Sequence, residues 1–75
     1  MTPYKNISGN SGVTHYDIGK GFIRVKFRDG SIQRYDAAED GPEIIAALSR
    51  LAISGSGLSS FIAENRSHLH PDRQD

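Results

Sequence analysis

Seventy-five residues, 36% of them hydrophobic and none a cysteine, make one small domain near the lower limit for a self-sufficient core. No disulfide or thiolate metal site is there to reinforce it. Nine basic and nine acidic residues cancel, so the global positive charge of many nucleic-acid binders is missing, and any such function must rest on one local face.

No apolar run approaches the roughly 20 residues of a membrane-spanning helix. The start, Met1-Thr2-Pro3-Tyr4-Lys5, lacks the hydrophobic stretch of a secretory signal. Together with the missing cysteines this implies a cytoplasmic protein without a membrane partner. Asn6-Ile7-Ser8 matches a glycosylation sequon, which without a signal is a chance match.

Residues 1–12 end in Ser8-Gly9-Asn10-Ser11-Gly12 and read as a flexible arm. Val13 to Asp17 is the first expected strand, and Ile18-Gly19-Lys20-Gly21 turns the chain into a second strand from Phe22 to Arg28. There large apolar and basic residues alternate with period 2. Asp29-Gly30 is a hairpin signal, and Ser31 to Asp36 is the third strand of an antiparallel meander.

Two registers are open for that second hairpin. A two-residue Asp29-Gly30 loop pairs Val25 with Arg34 and puts an arginine on the core face. A three-residue loop, Arg28-Asp29-Gly30 with Gly30 left-handed, pairs Ile23 with Tyr35, Val25 with Gln33 and Arg24 with Arg34. One residue of slip exchanges the faces. The second register separates apolar from basic almost completely, so patterning prefers it.

After Tyr35 the period changes. Asp36-Ala37-Ala38-Glu39-Asp40-Gly41 is an acidic connector, and Pro42 suits the first position of a helix with Glu43 beside its positive end. Ile44, Ile45, Leu48, Leu51 and Ala52 form its apolar stripe, and Gly55 stops it. Beyond Ser54-Gly55-Ser56-Gly57, the stripe Leu58, Phe61, Ile62 marks a shorter helix ending near Arg66.

The fold expected is therefore α+β: a three-stranded antiparallel β-meander followed by two α-helices packed on one sheet face. The core should contain Ile23, Val25, Phe27, Tyr35, Ile44, Leu48, Leu51, Phe61 and Ile62. Residues 13–66 would be the domain, and 67–75 a flexible tail.

Tyr16-Asp17, then five residues, then Ile23-x-Val25-x-Phe27-x-x-Gly30 and an aromatic-bearing strand resemble the KTSC domain. That domain occurs at the C-terminus of some lysyl-tRNA synthetases and as a short free-standing bacterial protein. The resemblance spans roughly residues 11–62. Tyr35 matches the second tyrosine of the family's Tyr-x-Tyr, while Gln33 stands at the first. The Ser54–Gly57 segment resembles its small-residue junction, and Ile62 is followed by Ala63 where the family has Ile-Arg. The resemblance implies an α+β fold without an established activity, for which RNA binding has been suggested.

The concentrated chemistry is Arg24, Lys26, Arg28 and Arg34, with Phe22 on the same face by alternation. Cations there can follow successive phosphates, and an aromatic can stack on a base. The competing reading is a solvated outer face offset by Asp36, Glu39, Asp40 and Glu43. Arg24 opposite Arg34 argues against it, since like charges directly opposed repel unless an anion or carboxylate intervenes.

Tyr16 and Tyr35 are expected as core tyrosines whose hydroxyls reach the rim, and Asp17 as a turn cap. His15 with His68 and His70 is a poor match to any metal-ligand spacing. Ser54–Gly57 lacks the lysine and upstream strand of a phosphate loop. No serine has an identifiable base partner, so no catalytic residue, metal or cofactor is expected. The function expected is a non-enzymatic module binding RNA or other single-stranded nucleic acid on the basic hairpin face. The alternative is a protein-interaction or homodimerisation module using the third-strand edge or the Leu58–Ile62 helix.

Overall fold

The computed structural model describes residues 1–7, 9, 11–67, 69 and 72–73. Its elements are β1 (Thr2–Pro3), β2 (Val13–Gly19), β3 (Phe22–Phe27), β4 (Ile32–Asp36), α1 (Ala37–Asp40), α2 (Pro42–Ser54), α3 (Leu58–Glu64) and β5 (Asp72–Arg73). The strands form one antiparallel sheet in the order β1-β2-β3-β4-β5. The α+β class and the central meander are as the alternation implies, but the sheet has five strands, not three. Both additions are edge strands of two residues, too short to carry any period-2 signal.

The β3–β4 hairpin takes the three-residue register. Ile23 pairs with Tyr35, Arg24 with Arg34, Val25 with Gln33 and Lys26 with Ile32. Phe27 N–H donates to Ser31 O at 2.9 Å and Gly30 N–H to Phe27 O at 2.9 Å. Gly30 has φ +89°, a conformation that a Cβ disfavours. Asp29 Oδ1 accepts from Ser31 N–H at 2.9 Å and supports the same turn.

Between β2 and β3 the register shifts at Val13/His15. The extra residue lets Val13 and Tyr16 share the inner face while His15 and Asp17 lie on the outer one. Simple alternation does not foresee this, because the bulge breaks the period it relies on.

The core lies between the inner sheet face and the helices. Ile23, Val25, Tyr35, Leu48 and Leu58 are at most 1% exposed, joined by Tyr4, Val13, Ile45, Ala52 and Leu69. Phe27, Ile44, Leu51, Phe61 and Ile62 are half-buried around them. Helix α2 begins at Pro42 with Glu43 in its first turn and ends at Gly55, which is left-handed. The acidic connector is itself one helical turn, α1, because Asp36 Oδ1 caps it by accepting from Glu39 N–H at 2.9 Å. There are thus three helices among the described residues rather than two.

The N-terminal residues are not the free arm that their glycine-rich composition suggests. Thr2 and Pro3 pair with Tyr16 and His15, and the Tyr4 ring is in the core. Tyr4 Oη accepts from Leu58 N–H at 3.3 Å across 54 residues of chain. Ile7 N–H donates to Gly55 O at 2.8 Å, and the Lys5 side chain packs against Gly55. The composition reports the segment's turns and misses its one aromatic anchor. At the other end, Leu69 is buried and Asp72–Arg73 are paired with β4, where a flexible tail was expected. Ser8 of the sequon and His68 and His70 of the histidine cluster lie outside the described residues.

Replacing Tyr4 with Phe keeps the ring and removes the acceptor for Leu58 N–H. The expected loss is about 1–2 kcal/mol, the cost of leaving a buried donor unpaired, read as a lower urea midpoint with an unchanged slope.

Candidate nucleic-acid interface and a cleft on the opposite face

Alternation along β3 and β4 sends Phe22, Arg24, Lys26, Ile32, Arg34 and Asp36 to the outer face. That face collects the expected site residues of the strands, while Arg28 stands exposed in the turn. Arg24 and Arg34 are directly opposed, and the structure relieves their repulsion with carboxylates. Asp17, opposite Arg24 on the other side, forms an ion pair with it. Asp36 Oδ2 accepts from Arg34 Nη1 at 2.9 Å. Asp17 is therefore an ion-pair partner, not the turn cap its position suggested.

These pairs do not bury the face. The Arg24 and Asp17 side chains are each 38% exposed, Arg34 and Asp36 32% and 22%. Solvent screening at such sites holds each pair to roughly 0–1 kcal/mol. Arg24 Nε meanwhile is shielded from solvent without a hydrogen-bond partner.

Phe22 is held from two sides. Its ring occupies the space a Cβ on Gly19 would need, so only glycine admits it there. The Arg34 guanidinium carbon lies 4.8 Å from the ring centroid, a cation–π contact worth about 0.5–1 kcal/mol at an exposed site. Lys26 lies between His15 and Ile32 in the next row of the sheet. His15 Nδ1 is 3.0 Å from Thr14 Oγ1. No group of three or more His, Cys, Asp or Glu able to hold a metal occurs among the described residues.

The inner face carries a feature that sequence reasoning missed. A cleft of about 480 Å³ opens between the sheet and α3, lined by Phe27, Gln33, Tyr35, Ser59, Ile62, Ala63, Arg66 and Leu69. Tyr35 Oη donates to Gln33 Oε1 at 2.7 Å. Burial, and then the charge of Asp40, push the Tyr35 pKa up to about 12. The signal available in sequence was Gln33, a polar residue at an inward position of β4.

The Gly-rich junction before α3 is used structurally. Leu58 N–H, at the start of that helix, is taken by Tyr4 Oη, which makes Ser54–Gly57 an interhelical turn. Among the described residues no helix is long and apolar enough to cross a membrane. No protein-family model, curated protein or solved structure matches the chain.

Two outcomes are expected. Gly19→Val should expel the Phe22 ring: an upfield ring-current shift is expected at the Gly19 Hα protons of the parent by NMR, and it should be lost at the Hα of position 19 in the variant. Tyr35, with a folded pKa above its unfolded value near 10, should favour folding fully below pH 10, and that contribution should fall as pH rises from about 10 to 12. Two pKa units set an upper bound of about 3 kcal/mol, which solvent reaching the cleft reduces. Urea titrations across this range should show the loss in the parent and a much smaller one in Tyr35→Phe.

Proposed function

We propose that this chain is a non-enzymatic binding module whose uncovered outer sheet face takes single-stranded nucleic acid, RNA first. The observation that carries the reading is the central row of that face. Arg24 and Arg34 stand side by side, Arg34 lies over the Phe22 ring, and Lys26 is one row away. Guanidinium groups in half-exposed ion pairs exchange a carboxylate for a phosphate at little cost, and an Arg34 guanidinium that moves onto a phosphate uncovers the Phe22 ring for a base. Asp17 and Asp36 set the strength: the site they leave is weakly basic and should bind modestly.

A KTSC-like identity, as a free-standing bacterial member acting in the cytoplasm, remains part of the same proposal. Strands followed by helices, Tyr35 in the core and the small-residue junction before α3 support it. The interaction-module reading has less to stand on. The β4 edge is paired with β5 at Gln33 and Arg34, Pro3 stands in the opposite edge strand, and Leu58 is wholly buried.

Fluorescence anisotropy with a labelled single-stranded RNA at two salt concentrations tests the proposal. Arg24→Glu/Arg34→Glu should weaken binding at least tenfold and flatten the salt dependence by about 1.4 log units per log unit, two phosphates at roughly 0.7 each. Asp17→Asn/Asp36→Asn should tighten binding. Equal affinity in the parent and the double glutamate variant would refute the interface.

A further inference from the structure

The cleft beneath α3 has a chemistry of its own, on the sheet face opposite the arginines. Its walls are Phe27, Ile62, Ala63 and Leu69, and its polar lining is Gln33, Tyr35, Ser59 and Arg66. No carboxylate lines it among the described residues. Its volume of about 480 Å³ lies within the range of about 300–1,000 Å³ typical of small-ligand sites.

Polar side chains on an inner sheet face need a reason, because burying them without partners is unfavourable. Tyr35 and Gln33 satisfy each other in part: the hydroxyl donates to the amide oxygen. That leaves the amide NH2 of Gln33 as the group this pair can offer a ligand. Burial keeps the Tyr35 hydroxyl protonated, so the amide oxygen stays engaged over the working pH range. Ser59 contributes a hydroxyl from the first turn of α3, and Arg66, just past its end, contributes an exposed guanidinium.

We propose that this cleft binds a small organic monocarboxylate, its apolar body against Phe27, Ile62 and Leu69 and its carboxylate held by the Arg66 guanidinium and the Gln33 amide NH2. The donor set decides the head group. One guanidinium fork matches one carboxylate in a bidentate pair, reinforced by neutral donors. A phosphate dianion would keep half its charge uncompensated against an apolar wall. The apolar lining decides the body: an aryl or short alkyl chain removes surface from water there, and a polar metabolite does not.

The test is a chemical-shift titration of the full-length ¹⁵N-labelled protein with 4-phenylbutyrate, indole-3-acetate and hexanoate, each beside its primary amide. At least one carboxylate should produce saturable shifts at Ser59, Ile62, Ala63 and the Gln33 side-chain NH2, with a dissociation constant of roughly 1 mM or tighter for ligands this small. Its amide should bind at least fivefold more weakly. Arg66→Ala, a change at an exposed residue, should weaken the carboxylate roughly tenfold and leave the amide unchanged. Ala63→Trp should abolish both by filling the cleft, its fold checked by circular dichroism; if it does not fold, the Arg66→Ala arm decides alone. The proposal fails if no carboxylate gives saturable shifts, if the shifts lie on the outer face, or if the amide binds as well as the acid. It fails equally if Arg66→Ala binds like the parent.

Discussion

The two faces of the β3–β4 hairpin are assigned by the pairing of Phe27 with Ser31 across three turn residues. The turn holds because Gly30 takes a positive φ and because Phe27, Gly30 and Ser31 all donate within it. A slip of one residue would pair Val25 with Arg34, bringing that arginine to the core face and turning Tyr35 outward. Along β4 the consequence is strict: Ile32, Arg34 and Asp36 face out, Gln33 and Tyr35 face in. One five-residue strand thus supplies Arg34 to the basic face and Gln33 and Tyr35 to the cleft.

The electrostatics of the outer face follow from the same register. Bringing Arg24 level with Arg34 creates a repulsion that neither strand can relieve by moving. Asp17 and Asp36 relieve it from either side. Asp36 does so with one oxygen while the other caps α1, so the chain's change from strand to helix and the neutralisation of Arg34 depend on a single carboxylate. The hairpin's excess of cations is real in composition and is offset in space at Arg24 and Arg34.

Much of this was legible in the residues and some was not, for identifiable reasons. The hairpin register could be read because charge and apolarity alternate without interruption from Ile23 to Arg28, so the wrong register had a visible penalty. Pro42 and Gly55 marked the bounds of α2 for equally local reasons. The edge strands were illegible because two residues have no period, and Tyr4 because its hydroxyl's partner, Leu58, comes 54 positions later. The pairing of Asp17 with Arg24 needed the β2–β3 register, which is set by the turn between Gly19 and Phe22 and not by alternation within either strand. The cleft had Gln33 as its one local signal, because the rest is assembled from β3, α3 and the chain beyond it.

The bond between Tyr4 and Leu58 also bears on how the molecule assembles in time. The meander joins neighbours in sequence, and its hairpins close short loops quickly. Seating Tyr4 at the head of α3 closes a far longer loop, whose entropy is recovered only once sheet and helices already stand in place. That contact belongs to the late side of the folding barrier. It acts as a latch on an already formed body, setting how slowly the native state opens more than how fast it forms.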